Sequence, residues 1–220
     1  IAAHGHADAL AVELRVGGQP VLVDPGTYNY HAASRWRGYF RSTAAHNTLE
    51  LAGCDQSVQS GAFLWTDHAR ARLLDASGLD EAAPLATVRG EHAGYLRAPA
   101  GALHRRRVTL DRNAVSLFIE DEVEADHPNP CRMMFHLHPD VECVLKENRA
   151  ELRWKTRIGA GRAIVGLSPD LSWSCVRGQE EPPLGWYSPA YDVLAPATVL
   201  VGRAELGIRT KILTFIHIFD

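Results

Sequence analysis

HGHADALAVELRVGGQPVLVDPG, residues 4–26, sets the grammar of the whole chain. Leu10, Val12, Leu14 and Val16 fall on one side of an extended segment and Glu13 and Arg15 on the other, the pattern of a half-buried strand. Gly17-Gly18 signals a tight hairpin turn, PVLV runs back, and Asp24-Pro25-Gly26 forces a second turn. Similar runs recur at short intervals: 47–53, 69–74, 85–89, 105–111, 114–120, 131–137, 141–145, 151–155, 162–166, 171–176 and 209–218. Gly, Pro, Asp and Asn stand between them. The fold class expected is all-β, an antiparallel β-sandwich of many short strands. No long amphipathic helix, internal repeat or low-complexity linker interrupts the pattern, so residues 1–220 read as a single domain.

Composition narrows the function classes. The chain is 46% apolar and 22% charged with a net charge of −3, a globular balance without the basic face a nucleic acid would require. No apolar run nears the roughly 20 residues of a membrane span. Arg105, Arg106 and Arg107, the one basic run, read as a solvated strand start. Cys54, Cys131, Cys143 and Cys175 form no CxxC pair, which argues against a thiolate zinc site and for small buried hydrophobes. Their disulfide state is left open. The chain starts at Ile1 and runs straight into its densest polar cluster, so it is expected to be a fragment of a longer protein or a processed chain.

That polar cluster holds the candidate chemistry. His4 and His6, two residues apart, share one side of an extended segment. Residues 27–51, TYNYHAASRWRGYFRSTAAHNTLEL, carry more aromatics and arginines than a core or an ordinary loop needs, and read as a groove lining. Aromatic rings stack on sugars and arginines clamp carboxylates or sulfates, which makes Tyr30, Arg35, Tyr39 and Arg41 candidate substrate contacts. Two histidines and a carboxylate suit zinc with an open fourth position. They also suit the iron triad of a cupin-like oxygenase, although a histidine after a long aromatic loop fits a cleft rim better than a barrel interior. One geometric obstacle stands out. If Val16 faces Gln19 across the turn, Asp24 lies opposite Ala11, and His6 is roughly 16 Å further on in an extended chain. Joining His6 to Asp24 requires residues 4–9 to bend back, or a bulge. FHLHP (135–139) repeats the His-x-His spacing inside an apolar run, where one histidine is expected to face the core. GWYSP (185–189) reads as an edge plug rather than a sugar platform.

The ordered elements HGHADAL, VLVDPGTYNY and RGYFRSTAAHNTLEL, with FHLHP and GWYSP later, resemble the C-terminal β-sheet domain of the heparinase II/III-like polysaccharide lyases. The resemblance implies a catalytic His4 facing the substrate, and a zinc, structural in role, held by His6, Asp24 and His46. It implies an acidic, uronic-acid-containing polysaccharide as substrate and a periplasmic or secreted setting. It also implies an N-terminal α/α toroid, absent from these residues, that supplies the catalytic tyrosine and the group neutralising the uronate. Tyr28, Tyr30 and Tyr39 are not candidates for that tyrosine. The alternative from another class is a non-catalytic sandwich that binds glycan or docks a partner domain.

Overall fold

The computed structural model describes residues 2–30, 34–97, 99–156 and 159–219. Two antiparallel sheets dominate. The larger has eight strands, ordered across the sheet as Glu142–Lys146, Arg149–Thr156, Gly159–Gly166, Arg209–Phe219, Ser116–Ala125, Ala102–Asp111, Leu85–His92 and Arg72–Ser77. The smaller has four, ordered Ser172–Arg177, Thr198–Leu206, Asn129–His136 and Leu49–Leu51. The β-sandwich reading holds.

Side-chain parity shows why the small sheet is the heart of the molecule. Met133, Phe135 and Leu200 point into the core between the sheets, against Ile119, Leu152, Trp154, Val165 and Ile216. Their neighbours Met134, Val199 and Val201 point the other way, into a second core with Tyr39, Phe40, Ala45 and Leu184. Successive strand residues face opposite sides, so the small sheet is covered on both faces. The second cover includes an element the sequence reading did not expect, the helix Ser34–Arg41. Trp36, Tyr39 and Phe40, spaced i, i+3 and i+4, form its apolar stripe. The segment read as a groove lining is thus partly helix and partly core; its residues 31–33 lie outside the described residues.

The first hairpin carries the devices needed to bend it. Val16 pairs with Gln19 as the Gly-Gly turn requires, but the register slips between Leu14 and Arg15, so that Leu14 faces Leu22. Before it, the Ala11 N–H donates to the Asp8 carbonyl at 2.9 Å and Leu10 adopts φ +60°. The ordered strand therefore shrinks to Leu14–Val16, and the histidine segment turns back over the small sheet.

Of the three consecutive arginines, only two are solvated. Arg105 and Arg107 pair with Glu91, Glu124 and Glu120 on the outer face. Arg106 faces inward and is 2% exposed. Its Nε and Nη2 donate to the two carboxylate oxygens of Asp121, 2.8 and 3.0 Å away. A histidine chain ends on the same carboxylate. The Gly94 N–H donates to His92 Nδ1 (3.2 Å), which places the His92 proton on Nε2. His92 Nε2–H then donates to His104 Nδ1 (3.0 Å), and His104 Nε2–H donates to Asp121 Oδ1 (2.6 Å). Burial holds His92 well below the ordinary histidine range and His104 below it too. Both hold a proton less readily when folded than when unfolded, so stability falls as pH drops through the ordinary histidine range. His136, pushed down to about 3 by burial, acts in the same direction. Each contributes up to about 1.4 kcal/mol per pH unit. Urea unfolding at pH 7 and pH 5 should differ by at least about 2 kcal/mol; a flat profile would mean that these rings are charged in the folded protein.

Candidate metal centre and adjoining histidine

Three loops meet above one end of the small sheet. Asp24 follows the strand Gln19–Leu22, His46 follows the 3₁₀ turn Thr43–Ala45, and His6 lies on the bent N-terminal segment. His6 Nδ1 stands 3.1 Å from His46 Nε2, and Asp24 Oδ2 stands 3.3 Å from that same nitrogen. Two atoms bound to one tetrahedral zinc at about 2.1 Å lie roughly 3.4 Å apart, so both spacings match edges of such a shell. The structure thus brings His6, Asp24 and His46 together. It adds Asp8, whose carboxylate joins the other three ligand atoms within a mutual 4.8 Å. Asp8 lies two residues after His6 in the same HGHAD motif.

The protonation states suit a cation. His46 Nδ1–H donates to the Ser42 carbonyl (2.7 Å), which turns the Nε2 lone pair toward the cluster. Burial, aided by the neighbouring His46, lowers His6 to about 4, so its ring is neutral at pH 7. Burial of Asp24 favours its protonated form, but His46 and the Gly26 N–H outweigh it and hold the carboxyl below its ordinary range. Two imidazole nitrogens and carboxylate oxygens converging on one point form a donor set that could hold a metal ion.

Asn47, next to His46, binds the three loops into one unit. Its Nδ2 donates to the carbonyls of Val12 (2.8 Å) and Val23 (3.0 Å), and its Oδ1 accepts from the His136 N–H (2.5 Å). Nothing in the residue pattern around Asn47 marks this role, because all three partners are backbone groups distant in sequence. Gly26 fixes the Asp24 turn. It has φ +80°, its N–H donates to Asp24 Oδ1 at 2.8 Å, and a Cβ there would meet the Ser188 carbonyl oxygen at 2.3 Å. Gly26→Ala is therefore expected to displace Asp24 and weaken metal binding at the cluster by at least about 10-fold, the scale of losing a ligand's supporting contact. Calorimetric zinc titration of the apoprotein checks this.

His4 stands outside the cluster. Its Nδ1 is 3.0 Å from the Tyr30 hydroxyl. Tyr30 stacks on Phe63 (5.8 Å between centroids, 29°), and the Arg37 guanidinium lies 4.9 Å from the Tyr30 ring centre. The other expected substrate contacts divide. Arg35 is exposed, beside Glu180 and Glu181. Tyr39 (6% exposed) belongs to the second core, and Arg41 (0%) donates to the carbonyls of Gly5, Gly61 and Leu64 beneath the Trp65 ring. Neither presents a surface to a ligand; both are spent on packing and hydrogen bonds inside the domain. His136 lies in the core and donates Nε2–H to the Ala44 carbonyl (3.0 Å), the core-facing member expected of FHLHP. Trp186 also packs into the second core, in a short strand pair with Ala195–Pro196.

A sandwich with this loop-borne donor cluster defines a domain class, and comparison places the chain within it. The family described as "Heparinase II/III-like, C-terminal" matches residues 1–211, and the chain belongs to that family of polysaccharide lyases. Among solved structures, heparan sulfate lyase HepC from Pedobacter heparinus is similar at 17% identity and a TM-score of 0.76, over 99% of this chain and 31% of that one. A heparinase III, the BT4657 gene product, is similar at 17% identity and a TM-score of 0.74, over 97% of this chain and 30% of its own. The chain spans about a third of the length of these proteins. No curated protein matches it.

Proposed function

We propose that this domain forms one wall of the cleft of a lyase that cleaves uronic-acid-containing acidic polysaccharide by β-elimination, in the periplasm or outside the cell. A toroidal domain of the same protein forms the other wall. The observation that carries the reading is the placement of His4, held by Tyr30 through one ring nitrogen and two residues away from the donor cluster, with Nε2 left for a ligand.

Elimination takes the proton from C5, which the adjacent carboxylate acidifies. The C–H electrons form the C4=C5 double bond as the C4–O4 bond breaks. With the Nδ1–H directed at the Tyr30 hydroxyl, the His4 Nε2 lone pair is the group left to take the C5 proton. The opposite wall supplies the acid for O4 and the donor that stabilises charge building on the carboxylate. Zinc, when bound by His6, Asp24 and His46, supplies a fixed positive charge that locks the three loops. The exposed rings of Phe63 and Tyr191 beside Tyr30 offer stacking surfaces for neighbouring sugars.

The isolated 220 residues should bind stoichiometric zinc by elemental analysis and produce no ultraviolet-absorbing unsaturated sugar. The intact protein should bind zinc and release that sugar. Robust elimination by the isolated domain would overturn the division of labour. Zinc binding and glycan affinity without elimination by the intact protein would favour the non-catalytic module.

A further inference from the structure

The free edges of the two sheets meet at one pair of cysteines. Cys143 lies on Glu142–Lys146, the edge strand of the eight-stranded sheet, and Cys175 on Ser172–Arg177, the edge strand of the four-stranded sheet. Cys143 packs with Leu145 and Trp173 against the core between the sheets. Trp173 precedes Cys175 by two residues, so Cys175 points to the same inner side. Both side chains therefore face the core between the sheets, and the two thiols hydrogen-bond to one another. The other cysteines are placed differently: the Cys54 thiol donates to the Ala52 carbonyl at 3.5 Å, and Cys131 is buried in the core.

We propose that Cys143 and Cys175 form a disulfide that ties the open edges of the two sheets together, with Cys175 as the attacking thiol. Cys175 is exposed and Cys143 half-buried, so an incoming disulfide donor, small-molecule or protein, reaches Cys175 first. The S–H of Cys143 hydrogen-bonds to Cys175 and holds that thiol below its usual range, while Cys143 itself is pushed up. The Cys175 thiolate attacks one sulfur of the donor and expels the other as a thiolate, leaving a mixed disulfide. Cys143 then loses its proton and attacks the Cys175 sulfur, releasing the second donor thiolate. Two thiols are oxidised, one donor disulfide is reduced to two thiols, and the protons from the cysteines end on those thiols. The closed loop contains Arg149–Thr156 and Gly159–Gly166, the two strands next to the edge.

The test is peptide mapping of the intact protein after equilibration with oxidised glutathione, alkylation and non-reducing digestion. A linked pair of peptides carrying Cys143 and Cys175 is expected, with Cys54 and Cys131 recovered alkylated after unfolding. Recovery of Cys143 and Cys175 both alkylated, or a linkage to Cys54 or Cys131, would overturn the proposal. The order of attack is tested with near-isosteric variants whose folding is checked by circular dichroism. Cys143→Ser should accumulate glutathione on Cys175, whereas Cys175→Ser should leave Cys143 free over the same exposure. Equal modification of the two variants would overturn the assignment of Cys175 as the attacker.

Discussion

His4→Ala in the intact protein is expected to lower turnover by at least about 10²-fold, the scale of removing a general base, while zinc content and melting temperature stay at the parent values. His4 meets Tyr30 and lies outside the donor cluster, so on the proposed mechanism its loss removes a group that acts in the transition state without removing a metal ligand. His6→Ala should look equally inactive for another reason. It removes a first ligand, so zinc affinity should fall by more than the roughly 10–100-fold that losing an outer-shell contact costs. Binding free energy coupled to folding is lost with it, and the melting temperature drops. Metal analysis and calorimetry on the two proteins separate the roles. If both variants keep zinc and melt like the parent, the division between proton transfer and coordination is wrong.

Arg106→Ala should be among the most destabilising substitutions in the domain, at about 3–5 kcal/mol. It leaves the Asp121 carboxylate, 1% exposed, without its bidentate partner and strips the donor from the carbonyls of Leu10 (2.8 Å) and Asn47 (2.7 Å). For a chain of this size that corresponds to a fall in melting temperature of roughly 10 °C. The neighbouring Arg107→Ala is the control. Its partner Glu120 lies at 3.4 Å on the wet face, and exposed pairs contribute about 1 kcal/mol or less. Similar losses for the two would show that charge, rather than the buried network, is what matters.

What could be read from the sequence follows the physics of each element. Strands with one wet face, such as Glu142–Lys146 and Arg149–Thr156, announce themselves by alternation. Thr198–Leu206 was missed because both its faces are covered, so TVLVG shows no alternation, and Gly202 and Arg203 interrupt the apolar run. The helix Ser34–Arg41 was missed because eight residues give barely two turns of period, and its aromatics suggested a ligand surface. His6, Asp24 and His46 were legible as a possible donor set, but their convergence depended on a bulge and a positive φ that no residue pattern marks. Arg106 was misread because a run of three charges hides the strand parity that sends the middle one inward.

The N-terminal segment is held almost wholly by its carbonyl groups. Arg37 donates to Ala3, Arg41 to Gly5, Thr43 to Ala7, Thr48 and Gln56 to Ala9, Arg106 to Leu10 and Asn47 to Val12. Carbonyl oxygens are the same in every residue type, so this recognition does not depend on which side chains the segment carries. The information that aims His4 and His6 is written in donors distant in sequence from the segment they hold. The motif is consequently not portable: HGHAD grafted onto another sandwich would bring the histidines without their aim. Within this scaffold, by contrast, Ala3, Ala7 and Ala9 mark places where the backbone is read and the side chain contributes no bond, which makes half-buried Ala3 more open to redesign than fully buried Ala7.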